Sequence, residues 1–149
     1  MGQTQQQIPS LRQAPDVGCN ASRNSKNSKS LIKLKQKSDL FLMQCKQNYL
    51  DGIFPGDDAI KQSKEYLILK DIAQSYFNED QYEDFEGFFM EDKYLIQLWA
   101  AHLILEYGNP TDNLKQKCLK EIEKYSQSTL SPKVATQEAN WLERYVNRN

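Results

Sequence analysis

The sequence predicts an all-α protein of about six helices, arranged as a short α-solenoid or a compact bundle. Three observations predict it. Apolar residues recur at three- and four-residue steps through most of the second half of the chain. Helix breakers and capping residues separate those runs, notably Gly52, Pro55, Gly108-Asn109-Pro110 and Ser131-Pro132. No segment alternates apolar and polar residues as a half-buried strand does.

The first helix is expected from Ser38, a capping residue, with Leu40, Phe41, Leu42, Cys45, Tyr49 and Leu50 as its apolar positions. Asp51-Gly52 and Phe54-Pro55-Gly56 end it. Asp57 and Asp58 then place a capping carboxylate and negative charge at the start of a second helix, about 58–77. Its expected buried face is Ile60, Leu67, Leu69, Ile72, Ala73, Tyr76 and Phe77. A short third helix over 81–90 turns Tyr82, Phe85, Phe88 and Phe89 inward, with Gly87 weakening its regularity.

The fourth helix, 93–105, has so few polar positions that it should be largely buried, packed on both sides. Thr111 or Asp112 caps the fifth, whose stripe is Leu114, Cys118, Leu119, Ile122 and Tyr125. Ser131-Pro132 pairs a capping hydroxyl with proline at the first position of the sixth helix. There Val134, Ala135, Ala139, Trp141, Leu142 and Tyr145 are the expected core residues. Helices four and five read as an antiparallel hairpin, helices two and three as a preceding one.

Charge divides the chain into two parts. Residues 1–38 carry seven basic side chains against one acidic, a net +6. Residues 39–149 carry twelve basic and nineteen acidic, a net −7. The domain reading is therefore a basic tail or linker over 1–37 and a helical domain over 38–149. Residues 1–30 hold too little apolar surface to offset the entropy of ordering, so disorder is expected there. The tail is also rich in serine and poor in acids, as organelle transit peptides are. Gln6 stands where a myristoylation signal needs Ser or Thr.

Several chemistries lack their residues. His102 is the only imidazole and lies in the most apolar helix, where a packed or hydrogen-bonded role is expected. No glycine-rich phosphate loop occurs. Cys19, Cys45 and Cys118 form no Cys-x-x-Cys pair, and an odd count favours a reducing, cytoplasmic setting. No apolar run approaches the ~20 residues that span a bilayer. The expectation is a non-enzymatic chain with no cofactor and no metal.

The positive candidate is the run from Glu79 to Asp92, which contains no Lys or Arg. Glu79, Asp80, Glu83, Asp84, Glu86, Glu91 and Asp92 form an acidic face that would steer a basic protein partner. Tyr82 is the expected anchor within it, if exposed. The basic tail has no interleaved aromatics for stacking bases, and the acidic domain would repel phosphate, so nucleic acid is not the expected partner. The alternative is a structural or assembly subunit that acts by self-association.

The stretch Ile96-Gln97-Leu98-Trp99-Ala100-Ala101-His102-Leu103-Ile104-Leu105 resembles HEAT-like repeat helices. Ile96, Ala100, Ala101 and Ile104 occupy its apolar and small positions, while Gln97 stands where many such helices have arginine. From about Ala59 to Tyr145, including Leu114 to Ile122 and Ala139-Asn140-Trp141-Leu142, the chain is similar to small bacterial HEAT-like domains of unknown function. Some of those lie beside toxins and are suspected immunity proteins. The resemblance implies a partner-binding protein of the immunity type, and the acidic run would suit it to a basic toxin.

Overall fold

The computed structural model describes residues 15–148, with side chains from residue 31 onward. Among the described residues there are six α-helices, two one-turn 3-10 helices and no strand. The helices are α1 (Pro15–Leu50), α2 (Lys64–Asn78), α3 (Tyr82–Glu86), α4 (Ile96–Tyr107), α5 (Asp112–Ser126) and α6 (Pro132–Arg148). The 3-10 turns are Asp58–Ile60 and Gly87–Met90. The expected disorder over 1–30 falls partly on 1–14, which lie outside the described residues, and partly on 15–30, described by backbone course alone.

α1 begins well before Ser38. Pro15 occupies its first position, where a missing N–H costs nothing, and no further proline occurs until Pro55. The chain divides after Asp39 into two units. In the first, Leu31 and Ile32 are exposed, and Lys35 pairs with Asp39 one turn on at 3.2 Å. Both partners of that pair are largely solvated, so it contributes a few tenths of a kcal/mol at about the level of other exposed i,i+4 pairs.

The second unit starts with the last three turns of α1. Phe41, Cys45 and Asn48 point inward at four- and three-residue steps, while Leu40, Tyr49 and Leu50 are exposed. The helix closes in a Schellman motif: Gly52 adopts φ +74°, Gly52 N–H donates to Tyr49 O, and Ile53 N–H donates to Asn48 O. α2 ends the same way, with Asp80 at φ +57° and Gln81 N–H donating to Tyr76 O at 2.8 Å.

The expected second helix splits in two. Asp57 caps only the 3-10 turn, accepting from Ala59 N–H, and α2 starts afresh where Ser63 accepts from Tyr66 N–H. Tyr66, Leu69, Ala73 and Tyr76 are its buried residues; Ile60, Leu67, Ile72 and Phe77 are only half-buried. The third element is likewise shorter, five α residues running into a 3-10 turn at Gly87.

α4 is the centre of the unit. Ile96 and the run Leu98 to Ile104 are all buried, as its composition requires. It packs against α2, α5 and the 3-10 turn after α3, and α5 packs in turn on α6. Phe41, Tyr76, Phe85 and Phe88 form an aromatic cluster at one end, with centroid separations of 4.3–6.0 Å. Thr111 caps α5 by accepting from Leu114 N–H at 3.2 Å. On α6 the buried positions are Val134, Glu138 and Trp141, while Ala139 is exposed.

No helix among the described residues is long and apolar enough to cross a membrane.

Candidate functional site

The acidic run is positioned by what its aromatic neighbours do. Phe85 and Phe88 enter the core from α3 and the turn after it, which leaves Glu83 and Asp84 facing solvent and Glu86 at the edge. Asp80 precedes them in the left-handed conformation that ends α2. Across from this edge the α4–α5 turn supplies Asn109, Pro110 and Thr111. Between the two lies an open groove of about 620 Å³.

Asp80, Glu83, Asp84 and Glu86 line that groove, and no Lys or Arg does. Four carboxylates around one concavity make a negative potential that solvent screens less than on a convex surface. On the far side of α3 a second groove, about 520 Å³, shares Glu83 and Glu86 but adds Lys117 and Lys120. There Lys117 Nζ reaches Glu86 Oε1 at 3.3 Å. The first groove has no Lys or Arg in its lining, and since Glu86 is shared with Lys117 its negative charge comes chiefly from Asp80, Glu83 and Asp84.

Tyr82 does not serve as an exposed anchor. Its ring stacks on Phe77 at 4.9 Å, and its hydroxyl accepts a 2.7 Å hydrogen bond from Asn109 N–H. Both contacts clasp α3 to its neighbours and leave the side chain half-buried. Tyr82 lines the groove in this clasped position, whereas three of the seven carboxylates fall outside it. Glu79 sits at the end of α2, accepting from Ser75 Oγ at 3.4 Å. Glu91 is exposed beyond the 3-10 turn. Asp92 belongs to a separate cleft of about 490 Å³, walled by Tyr49, Phe54, Tyr94 and Tyr125. Tyr94 and Leu95, both at positive φ, turn the chain there into α4. Burial, then the carboxylates of Glu121 and Asp92, push the Tyr125 phenol up from its ordinary value.

One polar site lies where spacing alone suggested core. His102 of α4 is buried and bonds Glu138 of α6 through Nε2 and Oε1 at 2.5 Å. Trp141 closes over the imidazole, edge to face, at 4.6 Å. Gly56 backs the carboxylate so closely that any Cβ there would overlap it. Both side chains are almost wholly withdrawn from solvent, which makes the pair an internal clasp between α4 and α6. The signal was present in the sequence, since Val134, Glu138, Trp141 and Tyr145 follow four-, three- and four-residue steps.

The two described thiols are also internal. Burial pushes Cys45 well up, and burial together with Glu86 and Glu121 pushes Cys118 up to about 12. No group of three or more His, Cys, Asp or Glu among the described residues is arranged to hold a metal ion.

Comparison of the chain with family models, curated proteins and solved structures finds no significant match.

Proposed function

We propose that this chain is a non-catalytic binding protein whose acidic groove, between α3 and the α4–α5 turn, receives a basic protein partner. The observation that carries the reading is the convergence of Asp80, Glu83, Asp84 and Glu86 on one concavity lined by no cation. A Lys- or Arg-rich segment entering it would meet carboxylates from the end of α2 and from α3 together. Such a surface acts chiefly on encounter, raising the association rate at low salt. Phosphate-bearing partners would be repelled.

The finer reading follows the HEAT-like resemblance: an immunity-type inhibitor that blocks the basic groove of a nuclease-type toxin. The His102–Glu138 pair supports a binding role over a catalytic one, because its polar atoms face the interior.

Charge reversal tests the proposal. Glu83→Lys with Asp84→Lys changes two exposed residues and should leave helicity intact. Wild-type chain should retain a basic protein on affinity capture, with retention falling as salt rises, and the reversed chain should lose it. Equal retention by both would move the interface elsewhere.

A further inference from the structure

The cleft that holds Asp92 has a chemistry of its own. Four rings wall it, from four separate segments: Tyr49 at the end of α1, Phe54 in the turn that follows, Tyr94 ahead of α4 and Tyr125 at the end of α5. Tyr49 meets Phe54 and Tyr94 at centroid distances of 6.4 and 5.7 Å, with planes inclined at 64° and 65°. Rings set so steeply to one another form adjoining walls and not a stack. Asp92 is the only charged residue in the lining. Its carboxylate lies close enough to oppose ionisation of the Tyr125 phenol. Tyr94 and Leu95 hold φ of +54° and +57°, a course that residues with a Cβ rarely adopt twice in succession. Strain of this kind collects at ligand clamps, where it fixes a side chain in place.

We propose that this cleft binds a quaternary ammonium group, with Tyr49, Phe54, Tyr94 and Tyr125 around its methyls and the Asp92 carboxylate balancing its charge. The walls select the sign of the occupant. The face of an aromatic ring is negative, so several rings about one space attract a cation and disfavour an anion. Asp92 adds to the same preference. Three of the rings already attract ammonium groups of this chain: Lys46 over Tyr94, Lys133 over Phe54 and Lys124 over Tyr125, at 5.4–5.7 Å from the centroids. All three lysines are exposed and none lines the cleft, so their charges stay hydrated and screened at its margin. A quaternary ammonium differs from them in carrying no N–H for water to solvate. Its methyls pack on the rings while its charge is spread over them, which suits it to an aromatic-walled space better than a lysine. The cleft, at about 490 Å³, is within the size range of small-molecule sites.

Titration of the full chain, followed by NMR, tests the proposal with choline and with its uncharged isostere, in which carbon replaces the nitrogen. Choline should bind saturably, its N-methyl protons shifted upfield by the surrounding rings, and about tenfold more tightly than the isostere. Acetylated trimethyllysine amide, in a further arm, tells whether the group is preferred on a small solute or on a side chain. Tyr49→Leu and Asp92→Asn, both at exposed residues, should each weaken choline roughly threefold or more. Helicity and the weak binding of the isostere should stay as they are. Glu83→Lys with Asp84→Lys should leave choline binding unchanged, which separates this cleft from the acidic groove. Equal binding of choline and the isostere would show an apolar cleft only and overturn the proposal. So would the absence of saturable binding by either quaternary ammonium, or choline binding that survives both Tyr49→Leu and Asp92→Asn.

Discussion

At Glu138 a carboxylate holds a position that the spacing of α6 reserves for the core. Its carboxylate is hydrogen-bonded to His102, and the two are enclosed by Trp141 and Gly56. Removing one member leaves a buried polar group without its partner, whereas replacing both with apolar residues removes the problem. His102→Leu should therefore lower the unfolding free energy by about 3–5 kcal/mol, and the His102→Leu, Glu138→Leu pair by less. Urea titration measures both; a double variant no better than the single one would contradict the clasp. The thiols give a second prediction at this scale. Cys118 is raised to about 12, so burial as a neutral thiol favours the folded state below about pH 9. That contribution is lost as pH rises from about 9 through 12. Iodoacetamide at neutral pH should label Cys45 and Cys118 only after denaturation, as read by mass spectrometry; rapid labelling in the native state would contradict their burial. The sequence pointed to Cys45 and Cys118 as core residues because both lie on apolar stripes. It pointed to Tyr82 as an anchor because composition cannot reveal a clasp made by one backbone N–H twenty-seven residues away.

Helix ends were legible where one residue sets them and obscure where several compete. Gly52, Thr111 and the Ser131-Pro132 pair do what their chemistry predicts. The start of α2 was misplaced because Asp57 and Ser63 are both good caps, and the 3-10 turn between them uses the first while α2 uses the second. Ser63→Ala and Thr111→Ala should each cost about 1 kcal/mol, seen as lowered urea midpoints. Asp80 holds a left-handed position at the end of α2, so Asp80→Gly should be tolerated while Asp80→Val costs about 1–2 kcal/mol. An equal response to both substitutions would contradict that role. The apolar stripe of α1 was visible as a set of residues, but not as two faces. Only packing divides Phe41 and Cys45, which are buried, from Leu40 and Leu50, which are not.

Across the whole chain, charge and apolar surface are segregated. The net +6 of residues 1–38 and the net −7 of the remainder were legible by counting. The convergence of Asp80, Glu83, Asp84 and Glu86 was not, because their shared groove depends on Asn109, Pro110 and Thr111 arriving from the α4–α5 turn. Seven carboxylates that look like one face along the chain resolve into a groove of four, with Glu79 at a helix end, Glu91 on the open surface and Asp92 in an aromatic cleft. The all-α class followed from periodicity, and the central place of α4 followed from its lack of polar positions. The binding proposal accordingly rests on the groove and not on the whole run. The measurement that tests it most directly is paired affinity capture across a salt series, using wild-type chain and the Glu83→Lys, Asp84→Lys variant as baits. One stoichiometric basic protein is expected on the wild type, released by salt and absent from the variant. A partner held equally by both baits, or capture that salt does not weaken, would contradict it.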